Sequence, residues 1–167
     1  VFAERKDSLR EKLQSEMVNE LLVKEKDGGY LSDRAYGGFQ QVAEKAKDDM
    51  VKFLINAKEE GKSVCAFGAA AKGNTFINFA GIRPDLISAV ADSNPAKQGK
   101  FMPGSRIPIH TEQFLKDDKP DYVLILPWNL KSEVIKQLSY IQENGGNFVV
   151  AVPKLKMVGS HGELFCL

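Results

Sequence analysis

The chain has 167 residues, of which 43% are hydrophobic and 27% charged, and its 23 Lys plus Arg against 22 Asp plus Glu leave a formal charge of +1. That length suits one domain, or one domain and a short extension, with enough apolar content to bury a core without disulfides or metal. The charge balance argues against a nucleic-acid or polyanion binder, which carries a basic excess, and no apolar run approaches the ~20 residues of a membrane helix.

The first stretch reads as a helix. Leu9, Leu13, Met17 and Leu21 recur on one face, Val18 and Leu22 widen the stripe, and Gly28-Gly29 ends it. Val1 to Lys12 is charged and shows no signal-peptide pattern. A second helix is predicted from Ala35 to Glu60, with Val42, Ala46, Met50, Phe53 and Ala57 as its apolar face and Gly61 as its stop.

From Lys62 the pattern changes. Ser63 to Phe67 is a short apolar run of the kind that forms a strand buried on both faces. Asp85 to Asp92, Tyr122 to Leu126 and Phe148 to Val152 are similar, and Arg106 to Ile109 adds a shorter one. Helix patterns separate them: Asn74 to Ala80, Thr111 to Lys116 with Thr111 as N-cap, and Leu130 to Glu143 striped by Val134, Ile135, Leu138 and Ile141. Strands alternating with helices predict an α/β fold with an open parallel sheet and right-handed crossovers, preceded by two N-terminal helices. Residues 1–60 form the helical extension in this reading, and 61–167 the sheet domain.

Two cysteines, Cys65 and Cys166, are too few for a disulfide scaffold. No C-x-x-C occurs, and His110 and His161 have no ligand-type partner nearby, so no zinc site is expected in this chain. Reduced cysteines in a cytoplasmic protein are the expectation. There is no Ser-His-Asp order to imply a nucleophilic triad.

The chemistry concentrates where strands end. The first strand leads into Gly68-Ala69-Ala70-Ala71-Lys72-Gly73-Asn74. Gly68 and Gly73 take the outer glycine places of the G-x-G-x-x-G dinucleotide fingerprint, where they permit a tight turn and close helix–strand packing. Ala70 takes the middle place, and its methyl group counts against a standard dinucleotide pose. Lys72 precedes Gly73, so this is no Walker A loop. A small-residue loop opening a helix offers free N–H groups and the positive end of the helix dipole to an anion, and Lys72 adds a charge. The same glycines and alanines also serve plain packing.

Asp92-Ser93-Asn94-Pro95-Ala96-Lys97-Gln98-Gly99 follows the second strand, where open α/β sheets place ligands. Asp92 suits ribose hydroxyls and Lys97 a phosphate, or the segment is a polar loop with Pro95 opening a short helix. Lys100 and Arg106, flanking Pro103-Gly104, read as solvated surface charges. Trp128-Asn129 follow the third strand: the tryptophan can stack on a base or cover a sugar, and Asn129 can bind a ligand or N-cap the next helix.

Taken in order, Gly68 to Gly73, Asp92-x-Asn94-Pro95-x-Lys97-Gln98-Gly99, Pro103-Gly104-x-x-Ile107-Pro108-Ile109 and Pro120 to Asn129 resemble the C-terminal, Rossmann-like domain of the S-adenosylmethionine-dependent sugar C-methyltransferases. The likeness covers nearly the whole chain and is most specific from Lys62 to Pro153. It implies an enzyme acting on nucleotide-linked deoxysugars, commonly dTDP-4-keto sugars. It further implies two other domains, one with a structural zinc and a middle one with the S-adenosylmethionine loop and the catalytic base. This chain would then be an excised C-terminal domain, as its start at Val1 fits, with no cofactor of its own and no activity alone. Its partners would be the nucleotide-sugar and the missing domains, with no nucleic acid and no membrane. The substrate contacts the resemblance implies are Gly68, Ala70, Lys72, Gly73, Asn74, Asp92, Asn94, Lys97, Trp128 and Asn129.

Two other readings compete. One is a free-standing NAD(P)- or nucleotide-binding module, supported by the glycine spacing and Asp92. The other is an interaction domain whose N-terminal helices pair with another chain.

Overall fold

A computed structural model describes residues 16–158 and 164–166. Leu9 and Leu13 of the predicted first stripe, and His161, lie outside the described residues. The chain divides into two compact units, Val1–Val42 and Ala43–Leu167.

In the first unit, helix α1 spans Glu16–Asp27 and buries none of its residues. It ends at the predicted glycines: Gly29 N–H donates to the Lys26 carbonyl at 3.0 Å and Tyr30 N–H to the Glu25 carbonyl at 3.0 Å, the paired bonds of a Schellman stop. A single 3-10 turn, Asp33–Ala35, follows. Helix α2 therefore begins at Phe39, after Gly37-Gly38, rather than at Ala35, and runs to Glu59. Two adjacent glycines resist helix propagation, which accounts for the late start.

The second unit is built on a seven-stranded sheet of order β3-β2-β1-β4-β5-β6-β7 among the described residues. Strands β1 (Val64–Phe67), β2 (Val90–Ala91), β3 (Ile109–His110), β4 (Tyr122–Ile125) and β5 (Asn147–Val150) pair in parallel. Strands β6 (Lys156–Val158) and β7 (Leu164–Cys166) extend it antiparallel. The parallel part is the predicted Rossmann-like sheet. The two antiparallel strands add to it and were not among the predicted ones, although Leu164-Phe165-Cys166 is apolar.

Alternation along the strands sends side chains to two cores. Val64, Ala66 and Leu124 pack with Met50, Leu54 and Ala57 of α2 and with Ile77 of α3 (Ala71–Phe79). Cys65, Phe67, Val123 and Ile125 pack on the other face with Leu115, Val134, Leu138 and Ile141. Those residues come from α4 (Glu112–Asp118), α5 (Lys131–Gln137) and α6 (Tyr140–Glu143), together with the Leu138 link.

Several predicted spans differ: Arg106–Ile109 gives only Ile109 to β3, because Arg106 turns at φ +61. The run Asp85–Asp92 gives a strand only at Val90–Ala91, because Leu86 and Ile87 turn back and donate to the Arg83 carbonyl at 3.0 and 3.2 Å. Helix α3 starts at Ala71, ahead of Asn74. The span Leu130–Glu143 divides into α5 and α6, because Leu138 (φ −105, ψ 30) leaves helical geometry, while Leu138 and Ile141 both stay buried. Among the described residues, no helix is long and apolar enough to cross a membrane.

Candidate functional site at the carboxyl edge of the sheet

The loops after β1, β2 and β4 meet at one edge, as expected of a parallel sheet whose ligands lie beyond the strand ends. β1 runs into Gly68, at φ +90, whose N–H donates to the Ala91 carbonyl of β2 at 2.7 Å. A Cβ on Gly68 would lie 2.6 Å from Pro127 Cδ, so the β1 and β4 loops touch there. A Cβ on Gly73 would lie 2.6 Å from Leu126 Cβ, so α3 sits directly on the residue that follows β4. Both glycines thus do what the sequence asked of them: one makes the turn, the other admits the helix.

Most amides of the β1 loop are already used. Ala69 N–H donates to Asp92 Oδ2 at 2.7 Å, and Ala70 N–H to the Gly68 carbonyl at 2.7 Å. The next amides differ. Ala70 holds the N-cap position of α3 in extended geometry (φ −95, ψ 155) and makes no side-chain cap. The Ala70 carbonyl accepts Asn74 N–H at 2.9 Å, but alanine has no side-chain oxygen to cap the turn, so the amides ahead of it, at Ala71, Lys72 and Gly73, are left for an acceptor from outside the loop.

Asp92, 7% exposed, is the hub of the next loop. Its Oδ2 also accepts Lys97 Nζ at 3.1 Å, its Oδ1 accepts Asn94 N–H at 2.8 Å, and its carbonyl accepts Gln98 Nε2 at 2.9 Å. Asn94 Oδ1 accepts Ala96 N–H at 2.9 Å, which tightens the same turn. Lys97 Nζ donates also to the Ala69 carbonyl at 2.9 Å, so one ammonium joins the β1 and β2 loops.

The third loop contains the 3-10 turn Trp128–Leu130. Asn129 lies inside that turn rather than at the N-cap of α5, and its Oδ1 accepts Lys72 Nζ at 2.6 Å. The same ammonium stands 5.4 Å from the centre of the Trp128 ring.

The predicted residues therefore fall into three sets. Ala70, Asn74 and Lys97 line a cleft of about 430 Å³ together with Lys100 and Phe101. Lys72, Trp128 and Asn129 meet one another beside β4. Gly68, Gly73, Asp92 and Asn94 shape the loops. Asn74 lines the cleft, and its Oδ1 is buried with no hydrogen-bond partner. Among the lining residues outside the predicted set, Lys100 read as a surface charge and Phe101 belonged to no motif. Nothing in the sequence pattern marked Phe101, whose exposure beside buried Met102 is visible only in the structure.

The chain matches, over residues 1–153, the family described as the C-methyltransferase C-terminal domain. It is 32% identical over 147 residues to the C-methyltransferase NovU of Streptomyces niveus, a match that covers 88% of this chain and 35% of that protein. The sheet, its glycine-turned first loop and the match over nearly the whole chain agree, and the chain belongs to the C-methyltransferase C-terminal domain family.

Proposed function

We propose that this domain binds the nucleotide-linked keto-deoxysugar, of the dTDP type, that an S-adenosylmethionine-dependent C-methyltransferase methylates. The observation that carries the reading is the uncapped amino end of α3, which opens on a cleft of about 430 Å³ lined by Lys97 and Lys100. Amides and dipole there favour an anion, and Lys72, in the same first turn but outside the cleft lining with its ammonium on Asn129, adds charge at that helix end. A diphosphate is the part of the substrate that suits it.

The fit to a cofactor is different. In this fold the acid at the end of the second strand normally receives ribose hydroxyls. Here both oxygens of Asp92 are engaged by Ala69, Asn94 and Lys97, and the residue is 7% exposed. The residues present do not fit S-adenosylmethionine or NAD(P) in that pose, which counts against the free-standing NAD(P) module. S-adenosylmethionine supplies the methyl group from a domain outside this chain, where the zinc and the proton-removing base also belong in this reading. What these residues contribute is binding and orientation: a diphosphate fixed at α3 holds the keto sugar where another domain reaches it, and removes translational freedom from the reaction. The apolar side chains of α1, with Met17 79% and Leu21 56% exposed, are available to those other domains. Cytoplasmic residence belongs to the same reading.

Calorimetric titration tests it. The chain should bind dTDP and a dTDP-sugar and leave S-adenosylmethionine and NADH unbound. With labelled methyl donor it should transfer nothing. Binding of NADH without dTDP, or methyl transfer by this chain alone, would refute the assignment.

A further inference from the structure

Phe101 is 64% exposed, although Met102 beside it is 2% exposed in the core. Its backbone is held on both sides. Phe101 bridges Pro108, Ile109 N–H donates to the Lys100 carbonyl at 2.8 Å, and Met102 N–H to the Ile107 carbonyl at 2.8 Å. The ring is thus presented from a fixed hairpin into the cleft that Ala70, Asn74, Lys97 and Lys100 also line. Trp128, the aromatic that the sequence offered for stacking, is not among the residues lining that cleft, and packs instead against the core of Val123 and Ile125.

The chemistry of the lining narrows what the ring receives. Its side chains are alanine, asparagine, lysine, methionine, proline, isoleucine and Phe101, with no carboxylate among the described residues. A hydroxyl-rich sugar needs several donors and acceptors around it, and among the described residues Asn74 is the one side chain in this lining with an oxygen that can accept. A planar uncharged base needs only an apolar face and a ring to lie on, and base–aromatic stacking does not depend on which base it is.

We propose that Phe101 is the stacking platform for the nucleobase of the nucleotide-sugar, with the diphosphate lying between this ring and the amino end of α3. This rests on the substrate reading above. It directs the sugar away from the cleft, toward whatever domain carries out the chemistry.

Titration of the full chain and of the Phe101→Leu and Phe101→Tyr variants with dTDP and with pyrophosphate separates the two readings, with the thymine methyl proton followed by NMR. Leu should weaken dTDP about tenfold, and Tyr should stay within about twofold of the parent, since stacking needs the ring. Pyrophosphate affinity should be the same in all three. The thymine methyl resonance should move upfield on binding to the parent and to the Tyr variant, and not to the Leu variant. The side chain is largely exposed, so the melting temperature should hold. A parent complex without the upfield shift, or a Leu variant that binds dTDP as the parent does, overturns the stacking role and leaves the α3 diphosphate site standing. A parent that binds neither dTDP nor pyrophosphate overturns both.

Discussion

Lys72 reaches from the first turn of α3 to Asn129, Nζ to Oδ1 2.6 Å, and holds its charge 5.4 Å from the Trp128 ring. One exposed ammonium thus ties the loop after β1 to the loop after β4, at the point where the strand order reverses between β1 and its two neighbours.

Lys72→Ala should weaken dTDP-sugar binding by about 1–3 kcal/mol, the range for a hydrogen bond to a charged group. Stability should change by no more than about 0.5 kcal/mol, because the side chain is on the surface. Asn129→Ala, which keeps the charge and removes only its tether, should cost less affinity than Lys72→Ala. Calorimetry on both variants checks this. Unchanged affinity with a lowered melting temperature would make Lys72 a strut between loops.

Asp92→Asn tests the loop hub. An amide cannot accept from Ala69 N–H, Lys97 Nζ and Asn94 N–H together, so at least one part-buried donor loses its acceptor. The expected loss is about 1–3 kcal/mol in a urea melt. Binding of dTDP should weaken as well, since Lys97 would no longer be held between the two loops. A variant as stable as the parent would contradict the hub.

The sheet was legible because its parallel strands are buried on both faces and read as apolar runs: Val64–Phe67 and Tyr122–Ile125 appear nearly as the sequence placed them. Strands β6 and β7 were not legible, because at three residues each they are too short to show a run or an alternation of strand length. At the site, Gly68 and Gly73 were legible because their roles are backbone requirements. Asp92 was legible as important, while its partners were not: spacing cannot tell whether a carboxylate faces a ligand or Ala69 N–H. Phe101 was missed because a single exposed aromatic in a loop has no periodicity to mark it.

Gly68→Ala should destabilise the chain by about 1–3 kcal/mol from the left-handed backbone alone. The clash with Pro127, 2.6 Å from the new Cβ, adds to that. Gly81, also at positive φ (+68) but with open space around it, is the control: Gly81→Ala should cost less. Thermal melts of the two variants decide whether contact between the β1 and β4 loops matters.

Asp121 sits at the opposite end of the sheet. Its Oδ1 accepts Lys62 Nζ at 2.9 Å and its Oδ2 accepts Ser63 N–H at 2.8 Å. The Lys62 ammonium first, and the Ser63 amide second, hold its carboxyl below the usual carboxylate range. The unfolded chain therefore binds its proton at higher pH than the folded one. The contribution is present above the unfolded value and is lost as pH falls through the lower, folded value. Asp121 raises the pKa of Lys62 in turn, a contribution lost only as pH rises through that elevated value. Asp121→Asn should flatten the acid limb of the stability–pH curve; an acid limb identical to the parent's would remove Asp121 from that account.

In the proposed function the carboxyl edge between α3 and the Asp92–Phe101 segment holds the diphosphate of a nucleotide-sugar. The most direct measurement is a calorimetric titration of the 167-residue chain with dTDP, repeated with thymidine and with the Lys72→Ala variant. Here dTDP should bind the parent, thymidine should bind far more weakly, and Lys72→Ala should weaken dTDP but leave thymidine unchanged. Equal affinity for thymidine and dTDP, with no effect of Lys72→Ala on either, would contradict it.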